Sequence, residues 1–471
     1  MNNSHNNISR RKFIGQSCAT IGYTTLFSSL INMKAFAASA MNNSSLRDAS
    51  DYKALVFLTL DGGNDSFNML IPSGTTEYAE YATTRSDLAI AQADILGINP
   101  ITTDGREFGL NPSMQNMQQL FESNNLAFLS NVGTLIEPTS MADYQSGAVD
   151  TPLGLFSHSD QAQHMQTGRP HERTNRGWGG RIADLVQSMN TNENISMNIS
   201  LNGINFFQYG NEVIPFVITT EGAISIEGYE GASVYDTART TAMNSMMDHD
   251  YQDIYKNTFK NTVQTSNEAA LEFQAVIDQI PDFTTPYPDP DNYLARQLRM
   301  VGKIIAARNT FGFKRQTFFI RLGGWDHHAE LLHNHGELLS QVDVALHYFN
   351  GVMEELNMHE NVTTFNVSDF GRTLTSNGNG SDHAWGGNTF MMGGSVIGKD
   401  MYGNYPSLDL NSDLSLYNRG VLIPTTPTDL YFAELAQWFG VPNSDLDMIF
   451  PNLSNFYDTN SGTPPIGFMN I

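Results

Sequence analysis

The chain has 471 residues, of which 40% are hydrophobic and 11% aromatic. These proportions are typical of an ordered globular protein and exclude an intrinsically disordered one. The 49 acidic residues outnumber the 25 basic ones and give a formal net charge of −24. We therefore expect neither nucleic acid nor anionic lipid to be a partner.

The N-terminal segment has the features of an export signal. The paired Arg10 and Arg11 lie in "SRRKFIGQS", the weakly apolar stretch "CATIGYTTLFSSLINM" follows, and "KAFAASA" consists mainly of small residues. This order predicts a twin-arginine signal over residues 1–40, with the twin-arginine translocase as a partner during export. The protein is then expected to be periplasmic or extracellular, exported after folding.

Cleavage of residues 1–40 would remove the single cysteine, Cys18, together with four basic residues and no acidic one. The remaining 21 basic and 49 acidic residues give a net charge of −28. Because no thiolate remains, nitrogen and oxygen ligands must hold any bound metal. No later stretch reaches about eighteen uninterrupted apolar residues, so we expect no integral membrane segment after cleavage.

Continuous apolar runs predict buried strands at residues 54–60, 126–134, 317–326 and 362–371. Between the last two, "ELLSQVDVALHYFNGVMEEL" has apolar residues at three- and four-residue steps, which predicts a helix with one apolar face. This βαβ pattern favours an α/β fold with a mostly parallel central sheet covered by helices. We expect one domain over residues 41–471, with a less regular insertion at about residues 190–300.

The predicted strands end in aspartates at Asp61, Asp326 and Asp369. Ligands gather at the carboxyl ends of strands in open α/β sheets, and the loop "NGNGSDHAWGGN" adds His383. Carboxylates and imidazoles suit a divalent metal, which we predict to be Zn²⁺, with Ca²⁺ or Mn²⁺ as alternatives. Taken singly, each aspartate has a structural alternative as a helix cap.

Four histidines follow Asp326 in the stretch "GGWDHHAELLHNHGELL". We predict that Asp326 and His328 face the metal. If this stretch is helical, His328 and His335 share roughly one face, whereas His333 points elsewhere.

The sequence also offers candidates for a nucleophile and for an anion-binding group. Ser157 in "GLFSHSDQ" stands at a predicted helix start, where free backbone N–H groups attract an anion, so its hydroxyl is a candidate to attack a phosphate or sulfate ester. The alternative is an ordinary N-cap serine. Arg372 and Arg181 are candidate anion-binding groups, or structural partners of acidic residues.

Several motifs stand in the order of a known family. They are "LDGGNDSFNMLIP", "SHSDQAQHMQTG", "GWGGR", "GGWDHHAELLHNHGELL", "SDFGRTLTSNGNGSDHAWGG", "YGNYPSL" and "IPTTPTDLYFAELAQWFGVP". From about residue 50 to about residue 455, the chain resembles the exported bacterial domain-of-unknown-function 1501 family, which is placed in the alkaline phosphatase and sulfatase superfamily. The resemblance implies an alkaline-phosphatase-like three-layer α/β sandwich.

The resemblance also implies roles for individual residues. Those implied to bind metal are Asp61, Asp326, His328, Asp369 and His383. Ser157 would occupy the place of the nucleophile.

The sequence also departs from the superfamily pattern. Phe370 follows Asp369 where the phosphatases have a histidine, and the sulfatase signature C/S-x-P-x-R is absent. The leading hypothesis is an exported metal-dependent hydrolase that acts on a phosphate or sulfate ester of a small molecule or a polysaccharide. The alternative is a non-catalytic binding or assembly protein that retains the fold.

Overall fold

The computed structural model describes residues 52–229 and 231–471. The predicted export signal, residues 1–40, lies outside this described part. Within it, no helix is both long and apolar enough to cross a membrane.

A large mixed sheet forms the centre of the protein. The strands in chain order are β1 (Lys53–Asp61), β2 (Leu70–Pro72), β3 (Leu96–Ile98), β4 (Phe108–Leu110), β5 (Leu126–Gly133), β6 (Asn198–Ser200), β7 (Phe216–Thr219), β8 (Gly222–Ala223), β9 (Arg315–Gly323), β10 (Val362–Ser368), β11 (Gly387–Met392), β12 (Met401–Tyr402), β13 (Ser415–Leu416), β14 (Val421–Leu422) and β15 (Thr426–Pro427). The central sheet has the order β12-β5-β11-β10-β1-β9-β6-β7-β8, and β15 also pairs with β5.

The central sheet is mostly parallel, which confirms the expected α/β class. Strand β1 runs parallel to both β9 and β10, and β6 runs parallel to β9 and β7. Strand β11 is antiparallel to its neighbours β10 and β5, and β8 is antiparallel to β7. Two smaller sheets have the strand orders β2-β4-β3 and β13-β14.

The helices in chain order are α1 (Thr75–Arg85), α2 (Gln115–Glu122), α3 (Met141–Ser146), α4 (His158–Thr167), α5 (Trp178–Val186), α6 (Val234–Met247), α7 (Ile254–Ile277), α8 (Tyr293–Ala306), α9 (Arg308–Phe311), α10 (Leu331–Glu355), α11 (Thr428–Phe439) and α12 (Asn443–Ile449). Helix α10 connects β9 to β10, which lie on either side of β1, and so forms the predicted βαβ crossover.

Strand β1 lies in the middle of the core. Every side chain from Ala54 to Leu60 is buried, and successive side chains of a strand point to opposite faces, so both faces of the sheet are covered. On one face, Phe57 packs against Trp178 of α5, and Trp178 stacks on Phe432 of α11 with ring centroids 4.9 Å apart. Because β1 is packed on both faces, its position in the sheet is fixed, and so is the position of Asp61 at its end.

The segment predicted as an insertion, about residues 190–300, contributes strands β6, β7 and β8 to one edge of the central sheet. Helices α6 and α7 follow these strands and contact each other. None of the side chains of α6 is buried, whereas α8, which ends the segment, packs on β9 and α10.

Candidate metal centre

Three strand ends bring the predicted aspartates to one edge of the sheet. Asp61 is the last residue of β1, Asp369 directly follows β10, and Asp326 lies three residues after β9. The parallel register pairs Leu60 with Ser368 and Asp61 with Gly323. The three carboxylates therefore leave the sheet at neighbouring positions of its carboxyl edge, where α/β folds bind ligands.

Gly62 allows these loops to approach closely. Its N–H donates to Asp369 Oδ2 at 3.2 Å, and its carbonyl accepts from Arg372 Nη1 at 3.2 Å. Its φ of +123° lies in the region that favours glycine, and a Cβ atom at this position would lie 2.5 Å from the backbone nitrogen of Asp326. Only glycine satisfies both constraints.

Three histidine rings surround Asp326, and the Nδ1 atom of each ring contacts an oxygen atom of another residue. His158 Nδ1 contacts Asp369 Oδ2 at 2.7 Å, and His328 Nδ1 contacts Asp382 Oδ1 at 3.1 Å. His383 Nδ1 contacts the backbone carbonyl of Phe156 at 2.8 Å. A carbonyl only accepts hydrogen bonds, so His383 carries its proton on Nδ1 and keeps a lone pair on Nε2. Burial lowers the pKa of His383, which favours this neutral ring.

Asp382 is held ionised beside His328. Partial burial acts to raise its pKa, but the hydrogen bonds from Arg419 and Asn377 and the charge of Arg419 together outweigh burial and lower the pKa to about 2. A carboxylate in this state can accept a proton from His328 Nδ1, and in that tautomer the Nε2 atom of the ring carries a lone pair. Metal-binding histidines are oriented by such second hydrogen bonds.

The Nε2 atoms converge on the carboxylate of Asp326. His328 Nε2 and His383 Nε2 lie 3.1 and 3.3 Å from Asp326 Oδ1 and 3.1 Å from each other. His158 Nε2 lies 3.4 Å from Asp326 Oδ2. Ligand bonds of about 2.0–2.1 Å, as at tetrahedral Zn²⁺, require ligand atoms about 3.3 Å apart. The ligand atoms of His158, Asp326 and His383 all lie within 4.8 Å of one another, so this group fits a divalent cation, and His328 Nε2 lies beside it.

The centre is open to solvent. The side chains of His158, Asp326, His328 and His383 are 37%, 43%, 46% and 25% exposed. Phe370 forms part of its wall, because its ring packs against His158 and His383 at centroid distances of 4.8 and 4.5 Å. A small ester therefore has access to this group of ligands.

Arg372 supplies positive charge beneath the centre. Its fully buried side chain donates from Nη1 to Asp326 Oδ1 at 2.7 Å and from Nε to Ser381 Oγ at 3.2 Å. Partial burial acts to raise the pKa of Asp326, but the hydrogen bond and charge of Arg372 lower it below its usual value. A backbone bridge pairs Arg372 with His383 and fixes their relative positions.

Asp61 and Asp369 form a second acidic pair beside the cluster. Asp61 binds Arg321 Nε, and Asp369 accepts from Gly62 N–H and contacts His158. Burial, and then the charge of Asp369, raise the pKa of Asp61 to about 6. Burial also raises the pKa of Asp369, although its hydrogen bond to His158 acts in the other direction. The roles of Asp61 and Asp369 as metal ligands stay predictions.

Ser157 occupies the N-cap position of α4 but makes no side-chain capping bond. Its Oγ lies 3.2 Å from Ser159 Oγ, whereas the next residue, His158, is the one that reaches Asp326 and Asp369. The preceding Phe156 has a φ of +74°, an uncommon conformation for a bulky residue, which turns the chain into α4. The role of Ser157 as nucleophile stays a prediction.

The histidine-rich stretch divides between loop and helix. Helix α10 begins at Leu331, so His328 belongs to the preceding loop and shares no helical face with His335. His335 is buried and its Nε2 contacts Asn64 Oδ1 at 2.8 Å. Arg181, a candidate anion-binding group, is also buried and donates to backbone carbonyls, among them that of Ile449 at 2.7 Å.

The sequence prediction included three of the four converging residues and missed His158. Asp382 and Arg321 were also missed as partners of site residues. The sequence signal for His158 was its position directly after Ser157 at a predicted helix start. The prediction chose the hydroxyl of Ser157 there and not the imidazole of His158.

Fold and site together define an α/β protein with a histidine–aspartate cluster at the carboxyl edge of a mostly parallel sheet. Residues 52–441 match the family described as "Protein of unknown function (DUF1501)", and the chain belongs to this family. The predicted family membership is thereby confirmed. No curated protein matches the chain.

Solved structures show distant similarity. The PsFucS1 sulfatase from Pseudoalteromonas sp. is 11% identical, with 87% of this chain and 71% of that chain covered and a TM-score of 0.35. The lipoteichoic acid synthase LtaP from Listeria monocytogenes is 8% identical, with 84% and 80% covered and a TM-score of 0.31. Similarity at this level does not transfer an activity or a ligand to this chain.

Proposed function

We propose that this protein is a metal-dependent hydrolase of phosphate or sulfate esters. The observation that supports the proposal most is the convergence of three imidazole Nε2 atoms on Asp326, with the guanidinium of Arg372 directly behind that carboxylate. Lone pairs and negative charge directed at one solvent-open point are the requirement for binding a divalent cation.

The proposed metal ligands are His158, Asp326, His328 and His383, and the proposed ion is Zn²⁺, with Ca²⁺ or Mn²⁺ as alternatives. A divalent metal supplies Lewis-acid activation of a phosphoryl or sulfuryl oxygen. Arg372 is buried behind Asp326, and its fixed positive charge offsets the negative charge of that carboxylate.

Asp61 is the proposed proton acceptor. Its pKa of about 6 makes it mostly ionised near pH 7 and still basic enough to take a proton, which is the range that general bases occupy. The attacking group is then either the hydroxyl of Ser157 or a water molecule. The Ser157→Ala variant separates these routes, because loss of turnover supports the hydroxyl and retained turnover supports water.

The first test is metal content, measured by elemental mass spectrometry on protein purified without chelators or a nickel resin. We expect about one equivalent in the wild type and loss in Asp326→Asn and His383→Ala. His333→Ala is the matched control, because this exposed histidine lies on α10 outside the cluster. Metal-loaded wild type is then screened for turnover on phosphate and sulfate esters. Metal without turnover on any ester contradicts the hydrolase.

A non-catalytic binding protein is the second candidate, and two observations favour it. Phe370 takes the place after Asp369 at which the superfamily phosphatases have a histidine, and its ring packs against His158 and His383. The Ser157 hydroxyl contacts Ser159. This candidate predicts stoichiometric metal, binding of anionic ligands and no ester cleavage.

Export by the twin-arginine pathway, with a periplasmic or extracellular location, is a further part of the proposal. It is supported by "SRRKFIGQS" and the small residues that follow. Replacement of both Arg10 and Arg11 by lysine is expected to retain the protein in the cytoplasm, as measured by cell fractionation. Unchanged location of this variant contradicts the pathway.

A further inference from the structure

A cavity of about 310 Å³ adjoins the metal centre at Asp61. Its lining combines guanidinium groups, amides and aromatic rings with the carboxylate of Asp61, and it includes Arg176, Arg321, Asn175, Asn202, Phe206 and Tyr209. This composition differs from that of the metal centre, where carboxylates and imidazoles dominate. The cavity therefore provides separate binding chemistry beside the proposed reaction site.

Arg176 brings a half-buried positive charge to this cavity. Its backbone is held by a hydrogen bond from Arg181 Nη1 to its carbonyl at 2.8 Å and by its own N–H, which donates to Thr174 Oγ1 at 3.3 Å. In residues 52–229 and 231–471, no carboxylate forms an ion pair with its guanidinium, although the chain has 49 acidic residues. A partly desolvated cation without a counter-ion favours an anionic ligand.

Arg321 supplies a second guanidinium. Its Nε binds Asp61, and its side chain remains 49% exposed. Because the fork of a guanidinium has further N–H donors, Arg321 can bind Asp61 and an anionic ligand at the same time. Two arginines at one cavity match the tetrahedral oxygens of a sulfate or phosphate group.

The amides and rings indicate what carries this anionic group. Asn175 and Asn202 offer both donors and acceptors, as sugar hydroxyls require. Phe206 and Ile204 line the same cavity and are 39% and 78% exposed, so they offer apolar surface to the C–H face of a sugar ring. A purely inorganic anion would use the arginines alone.

Helix α4 connects the cavity to the metal centre. Its first residue, His158, belongs to the metal cluster, and Gln166, eight positions later, lines the cavity. The helical rise separates these positions by about 12 Å. Gln166 Oε1 also accepts from the N–H of Phe206 at 2.8 Å and of Phe207 at 3.2 Å, which attaches the cavity loop to α4. A ligand that reaches from the metal cluster to the Gln166 side of the cavity must therefore be extended.

We propose that this cavity binds a second anionic group, a sulfate or a phosphate, of an extended oligosaccharide ester whose scissile group lies at the metal centre. The inference rests on the proposed function for the position of the scissile group. It assigns Arg176 and Arg321 as binding residues that select multiply charged saccharides over singly charged ones.

The test uses the full chain, metal-loaded, and titration calorimetry with lactose disulfate and lactose monosulfate. We expect the disulfate to bind at least about tenfold more tightly, and Arg176→Ala to remove this preference. Arg173→Ala is the matched control, because Arg173 belongs to the same loop, is 62% exposed and pairs with Asp160. Lactose bisphosphate, measured beside the disulfate, decides which anion is preferred.

Equal affinity of the wild type for the two sulfates, or no binding of either, overturns the inference. A preference unchanged within about twofold in Arg176→Ala also overturns it. If Arg176→Ala has a reduced melting temperature, Arg176→Gln replaces it, and the wild-type comparison decides independently of any variant.

Turnover separates this inference from the proposed function. Preferred binding of the disulfate without cleavage of any ester contradicts the hydrolase and leaves the cavity assignment standing. Cleavage with a KM for the disulfate that Arg176→Ala does not change contradicts the cavity and leaves the hydrolase standing. If the hydrolase and the cavity assignment are both correct, Arg176→Ala raises the KM for the disulfate about tenfold and leaves kcat unchanged.

Discussion

His328 and His383 direct their Nε2 atoms at each other across 3.1 Å, although each ring already uses its Nδ1 atom in a hydrogen bond. When each ring holds a proton on Nδ1 alone, the two Nε2 atoms present facing lone pairs, which repel each other. A cation between them and Asp326 removes the repulsion.

Addition of Zn²⁺ to chelator-treated protein is therefore expected to raise the melting temperature. At a free concentration about 100 times Kd, the free energy of unfolding increases by about 2.7 kcal/mol. The measurement is calorimetry with and without the ion, on wild type, His328→Ala and His333→Ala. An equal shift in His328→Ala would place the binding site elsewhere.

Replacement of Asp382 by asparagine tests the orientation of His328. The variant loses the charge that fixes the Nδ1 proton of His328, while the size of the side chain is retained. We expect Zn²⁺ affinity to fall about 10- to 100-fold, measured by competition with a metal indicator. Asp409→Asn, at an exposed loop position, is the control. Unchanged affinity would show that Asp382 serves only Arg419.

Gly62→Ala tests the close approach of the strand ends. The added methyl group would lie 2.5 Å from the nitrogen of Asp326, and the φ of +123° is strained for alanine. We expect a loss of stability of about 1–3 kcal/mol, together with loss of bound metal. Denaturant unfolding and metal analysis check the two effects. Gly97→Ala is the control, because nothing lies within 4 Å of a Cβ atom there.

A buried ion pair supports the loop that carries Arg372. Arg85 pairs with Asp65, both side chains are almost fully buried, and Arg85 Nη1 donates to the carbonyls of Thr373 and Leu374 at 3.1 Å each. Asp65→Ala leaves the Arg85 charge uncompensated, so we expect a loss of about 3–5 kcal/mol in the free energy of unfolding. Denaturant titration measures it, and a loss below about 1 kcal/mol would contradict the role of the pair.

The buried Asp429 is expected to make the free energy of unfolding fall as pH rises. Burial raises its pKa to about 8, although the charge of Arg181 acts in the other direction. Between about pH 4, where the unfolded carboxyl loses its proton, and pH 8, the folded state retains a proton that the unfolded state has lost. The free energy of unfolding then decreases by up to about 1.4 kcal/mol per pH unit.

Asp429→Asn is expected to remove this dependence, measured by denaturant unfolding at several pH values. Asp413→Asn, at an exposed position, is the control. A slope in Asp429→Asn equal to that of the wild type would mean that Asp429 is ionised in the folded protein at neutral pH.

The sequence predicted the strands well, and the end of β1 to within one residue, because these features are local, whereas β9 and β10 each end three residues before the predicted limit. The apolar run before Asp61 and the glycines after it determine where β1 stops, and the same holds for β10 before Asp369. Apolar runs cannot reveal which distant side chain meets these ends. His158 comes from a helix start, and the turn at Phe156 that directs it depends on tertiary contacts.

The substrate side of the site was also beyond sequence reasoning. Arg176 and Arg321 lie far apart in the chain, and each alone is an ordinary arginine on a loop or strand. Their common cavity depends on α4, β9 and the loop around Phe206 packing together. The boundary of α10 was missed for a related reason, since the histidines before Leu331 continue the sequence pattern although the helix does not.

The fold places His158 beside His383, which the ribosome adds 225 residues later. A nascent chain that has emerged only as far as β9 and the following loop contains His158, Asp326 and His328 but lacks the last imidazole and the strand β10 that aligns them. Occupancy of the centre by a metal would consequently require synthesis through His383 and folding of β10. Zinc bound per chain would then count mature molecules in a preparation.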